Sequence, residues 1–204
     1  MRYQRAVERL RMLAEACQQT TTWPPGNELV LRESYVFGEV LDGDDPIELV
    51  KVAMVVNLPS EEVPWESHPR GTEWLVDTLR LNKGAFAYWW RSRHDPVWNH
   101  YIREPVRFWS VDGPDEDVLR ALSERRFSDL PRLSADPCEV RAHTATALDA
   151  ALSRLREVHA NYWERDWRRE NRGNDRYPEN SLWEAVEGYL DLLDAKDSPE
   201  RESR

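Results

Sequence analysis

The chain has 204 residues, 40% hydrophobic and 32% charged, with 28 lysines and arginines against 38 aspartates and glutamates for a formal net charge of −10. That length holds one sizeable core, and the negative balance excludes a general DNA-binding protein, because a polyanion is repelled at long range. No apolar run approaches the ~20 residues of a membrane span, and Met1–Leu10 mixes charged and apolar residues where a signal peptide needs an unbroken apolar stretch, so the expected setting is the cytoplasm, away from membranes.

Tyr3, Val7, Leu10, Ala14 and Cys17 recur at spacings of three and four and predict a first helix with one apolar stripe. Pro24, Pro25 and Gly26 end it, since proline brings no amide hydrogen and glycine turns freely. Residues 29–41 and 47–58 read as two neighbouring strands joined by a turn at Asp42–Pro46. The unbroken Val52–Val56 run lacks alternation, as in a central strand covered on both faces. A helix over 72–81, a strand over 86–90, a short helix over 97–102 and an edge strand over 105–110 opened by Pro105 follow.

After a short helix over 118–126 and a break at Pro131, Asp136-Pro137-Cys138-Glu139 supplies an N-cap, a proline at the first helical position and a capping-box glutamate. It predicts a long helix to about Arg169 with Leu148, Leu152, Leu155, Val158 and Tyr162 on its apolar stripe. Gly173-Asn174 stops that helix, and a last one begins at Asn180 with Leu182, Val186, Tyr189, Leu190 and Leu193. The expected fold is of the α/β (α+β) class: a small mixed sheet of about four strands with flanking helices over 1–130, closed by a C-terminal helical hairpin over 131–196. The hairpin packs on the sheet or forms a homodimer, and the polar tail 197–204 is expected to be disordered. Cys17 and Cys138 sit in two separate predicted helices without metal-ligand spacing and read as small buried hydrophobes.

One segment carries chemistry. In Tyr35–Val50 a strand ends in Phe37-Gly38, Asp42-Gly43 forms a glycine-bearing turn, and Ile47-Glu48-Leu49-Val50 opens the next strand. This resembles the signature of the minimal nucleotidyltransferase family over about residues 5–110. Carboxylates two apart on a strand share a side and hold divalent cations against triphosphate oxygens. The resemblance implies a nucleotide with Mg2+, Glu48 and Asp45 as catalytic carboxylates with Asp44 as a further metal ligand, and Gly38 and Glu39 beside the phosphates. Glu39 stands where the family has serine, either register leaves a single strand carboxylate, and Phe86–Trp90 lacks the third acid. The chain thus reads as a catalytically degenerate nucleotidyltransferase-like binding or interaction protein, with a toxin–antitoxin-like role by family analogy. The alternative is an active Mg2+-dependent nucleotidyltransferase modifying RNA or protein. The simpler reading of Asp42–Pro46 is an ordinary hairpin turn, since such residues favour turns for purely local reasons.

Aromatic residues between Phe86 and Trp109 interleave with Arg91, Arg93, Arg103 and Arg107. Such a pattern stacks bases and holds phosphate, which places Arg91 and Arg93 in a nucleotide or RNA surface, or else forms a core of large side chains rimmed by arginine. His94 and His100 fit no zinc spacing, and Ser34 and Ser92 sit in no nucleophile elbow.

Overall fold

The computed structural model describes residues 1–21, 29–173 and 176–197. Helix α1 (Tyr3–Thr20) buries Tyr3, Ala6, Val7, Leu10, Leu13, Ala14 and Cys17, the stripe its spacing dictates. The Pro24–Gly26 stop and the 198–204 tail lie outside the described residues.

The sheet has five strands, one more than expected, in the order β3–β2–β1–β4–β5. Strand β1 (Leu31–Phe37) pairs antiparallel with β2 (Val50–Val56) and with β4 (Val106–Ser110), while β3 (Phe86–Ser92) runs parallel to β2. The two-residue β5 (Gly113–Pro114) adds to the end of β4, so β4 is flanked on both sides there and is not a plain edge strand. Strand β1 stops four residues earlier than expected. Gly38 turns into the left-handed half of backbone space at φ 72°, and Glu39–Asp42 closes into the single turn α2, making the connection longer than a hairpin turn. Strand β2 begins at Val50, because Ile47 is fully buried and exchanges two backbone hydrogen bonds with Met1.

Helix α3 spans Glu73–Thr78 and α4 spans Glu116–Ser123, shorter or earlier than their sequence stretches, with Arg80 and Arg125 at positive φ shortly after each. Residues 97–102 form no helix. Asn99 Oδ1 accepts from the backbone N–H groups of Tyr101 (2.9 Å) and Ile102 (2.7 Å), a side-chain turn that competes with helix formation. The capping box of α5 (Pro137–Asn161) is formed as read, yet the chain breaks before Arg169: Glu164 is extended, and α6 (Arg165–Glu170) starts anew. Arg168 drives the turn, lying over the rings of Tyr162 and Trp163 and pairing with Glu179 at 2.9 Å. Helix α7 (Pro178–Asp197) closes the fold. Among the described residues no helix is long and apolar enough to cross a membrane.

Alternation along the strands explains the uninterrupted apolar run. Val52, Met54 and Val56 join one core with α1, α4, Val36 and Phe108. Ala53 and Val55 join a second core with Tyr35, Phe37, Leu148 and Ala151 of α5 and Leu192 of α7. The C-terminal helices therefore cover the second face of the sheet. Cys17 is buried, its thiol pushed up to about 12 by burial, whereas Cys138 is exposed at the start of α5, against the expectation of a buried side chain.

Candidate functional site

The strand ladder separates the residues that the sequence brings together. Gly38, Glu39, Asp44, Asp45 and Glu48 lie at the β1–β2 connection, the end of β2 that holds Lys51; Arg91 and Arg93 lie at the opposite end, where Val55 pairs with Arg91. Four steps of strand from Lys51 to Val55 put these ends about 13 Å apart, at ~3.3 Å per residue.

At the connection, each acid is elsewhere engaged or free in solvent. Glu39 pairs with Lys51 Nζ at 2.9 Å, Asp45 lies 3.9 Å from Arg125, and Asp44 and Glu48 are exposed. A side chain on Gly38 would crowd Lys51 at 3.3 Å, so a lysine stem fills the place beside the glycine. Among the described residues no three His, Cys, Asp or Glu side chains gather into a metal-holding group. These side chains do not fit a two-carboxylate Mg2+ cradle.

Arg91 is buried and does not reach solvent. Its Nη2 donates to the Pro96 carbonyl (2.7 Å) and lies 3.3 Å from His143 Nε2, with the guanidinium over Trp65. Burial pulls its pKa down to about 10; burial, and then the Arg91 charge, hold His143 below its ordinary value. Arg93 is exposed and lines a cavity.

Sequence reading missed the polar seam that clamps α7 to the core. Asp191 of α7 accepts from Trp65 Nε1 (2.5 Å) and lies 2.8 Å from His100 Nε2; Glu184 takes Arg176 (2.9 Å) and sits 3.4 Å from His68. The His100 bond leads in holding the Asp191 carboxyl below its usual range. Glu66 accepts from Trp89 Nε1 (2.9 Å), and burial raises its carboxyl. The rings of Trp65 and Trp89 stack in parallel, 6.5 Å between centroids. A Cβ on Gly188 would lie 2.3 Å from the Trp65 carbonyl oxygen, so α7 touches this loop backbone to backbone. Nothing in the spacing of Trp65, His68 and His100 relates them to acids more than 80 residues away; only Gly188 inside a helical pattern hints at close packing.

The outward side of the same hairpin is aromatic. Trp163 is 83% exposed, Trp183 63%, Tyr177 55% and Leu190 49%. Trp183 and Leu190 are seven apart on α7 and share a face. Helix α6 exposes Arg165, Asp166, Arg169 and Glu170, with Arg169 3.3 Å from Asp166, and α7 exposes Glu187, Asp194 and Lys196.

The family model described as "Domain of unknown function (DUF7711)" matches residues 1–198 of the chain. No curated protein and no solved structure matches it.

Proposed function

We propose that this chain, which belongs to the DUF7711 family, is an interaction protein that pairs with a second copy of itself through the outer face of its C-terminal helices. The observation that carries the reading is the exposed face of Trp183 and Leu190 on a helix whose inner side is fixed by Asp191, Glu184 and Gly188. Large apolar side chains grouped on a rigid surface mark an interface. A two-fold pair sets each patch against its own copy.

In this reading the Phe37–Gly38 turn is nucleotidyltransferase-like but, among the described residues, without a cation set, supported by Glu39 being held by Lys51 and Glu48 being exposed. Sedimentation velocity at rising concentration should move from monomer to dimer, and Trp183→Glu with Leu190→Glu should stay monomeric with a melting temperature near wild type. A wild-type chain that remains monomeric throughout ends the reading. Thermal shift with Mg2+ and each of the four triphosphates separates the transferase alternative: a stabilisation approaching the ~2.7 kcal/mol of a ligand at a hundred times its Kd, removed by Glu48→Gln, would favour an active enzyme on RNA or protein.

A further inference from the structure

We propose that the cavity at the Arg93 end of the sheet binds a small organic oxyanion, a phosphate or carboxylate attached to a compact apolar body. The cavity measures about 450 Å3, a size that holds a small molecule. Tyr35 and Val55 of the second sheet face and Pro96, Val97 and Trp98 of the loop after β3 line its apolar part, and Arg32, Arg93 and Arg107 its basic part. Arg32 reaches it through an irregularity in β1: the register shifts between Leu31 and Glu33, which breaks the strict alternation of sides.

Three carboxylates line the cavity with the three arginines, so its formal charge balances, but the pairing is uneven. Glu33 takes Arg107 on one oxygen (3.0 Å) and the Tyr35 hydroxyl on the other (2.8 Å), and Asp95 accepts from Ser60 (2.9 Å). Asp112 is exposed on the β4–β5 turn. Among the described residues neither Arg32 nor Arg93 has an ion-pair or hydrogen-bond partner for its side chain, and the Arg32 Nε is shielded from solvent with its hydrogen unused. Guanidinium groups without an acceptor at a cavity wall are what an incoming oxyanion satisfies, and the guanidinium fork matches phosphate and carboxylate alike. The apolar wall favours an anion that carries carbon over a bare inorganic one. The −10 charge of the chain favours a small ligand over a nucleic acid, which the global field repels along its whole length.

The test is calorimetry and thermal shift at fixed ionic strength with phenyl phosphate, benzoate, inorganic phosphate and a single-stranded oligonucleotide. At least one aromatic anion should bind saturably and more tightly than inorganic phosphate, and whether it is phenyl phosphate or benzoate identifies the head group. Arg93→Ala and Arg32→Gln should each weaken it at least tenfold, while Arg126→Ala, elsewhere on the surface, should bind as wild type does. Arg93 is exposed, so its variant tests the site even if the strand residue Arg32 tolerates no change. No binding of either aromatic anion, wild-type binding by Arg93→Ala, or inorganic phosphate binding as tightly as the aromatic anions would each overturn the proposal. So would an oligonucleotide that binds more tightly through the same arginines.

Discussion

Gly188 decides how close α7 can come. Because a methyl group there would collide with the Trp65 backbone carbonyl rather than with a movable side-chain end, Gly188→Ala must push the helix or the loop aside. Overpacking of this kind costs about 1–3 kcal/mol, which a urea midpoint should register despite the better helix propensity of alanine. Two titrating side chains act in opposite directions. His143 has a lowered folded pKa, so its contribution is whole above its unfolded value near 6.5 and is lost as pH falls through the folded one. Glu66 has a raised folded pKa, so its contribution is whole below about 4.5 and is lost as pH rises through the folded value. Denaturation between pH 8 and 5.5 should therefore show a loss of stability on acidification that is smaller in His143→Gln, and an unchanged slope in that variant would assign the loss to another group. Arg91, read from sequence as a ligand contact, instead belongs to this buried group: a strand pattern shows where a side chain alternates but not how deep a later helix will bury it.

The elements differ in how far their own residues determine them. The start of α5 was legible, because Asp136, Pro137 and Glu139 act within one turn: the Asp136 side chain takes the Cys138 amide at 2.7 Å, and Glu139 returns to the Asp136 amide. Asp136→Ala should cost about 1 kcal/mol, read as a lowered melting temperature. The end of the same helix was not legible, since the break before α6 depends on Arg168 meeting Glu179 across the turn, a contact no local periodicity encodes. The same holds at 97–102, where Asn99 uses its side chain to cap neighbouring amides and cancels a helix that the flanking residues permit. The central place of β2 was legible because both faces of one strand are apolar; the two-residue β5 carries too little sequence to announce itself.

Across the whole molecule, two cores share one sheet, and their sizes differ. The second is smaller and relies on Leu148, Ala151 and Leu192 from the hairpin. Leu192→Ala, at a site 1% exposed, should cost about 2–5 kcal/mol and make the α5–α7 hairpin the first part cut in limited proteolysis, ahead of α1 and β2. The candidate site was half legible on this scale. Sequence reading assigned a nucleotide both to Gly38 and Glu39 and to Arg91 and Arg93, but strand direction sends the acids and the arginines to opposite ends, and the arginine end acquires Arg32 only through a register shift invisible in the residue pattern.

The parallel indoles of Trp65 and Trp89 straddle the junction between loop and sheet, with the Trp65 nitrogen tied to α7. Fixed aromatic pairs give strong near-ultraviolet dichroism, and an indole that loses its shelter emits further to the red. The chain thus carries a built-in optical gauge: the part of its signal lost in Trp65→Phe follows the lifting of one helix from the body of the protein, with no dye attached.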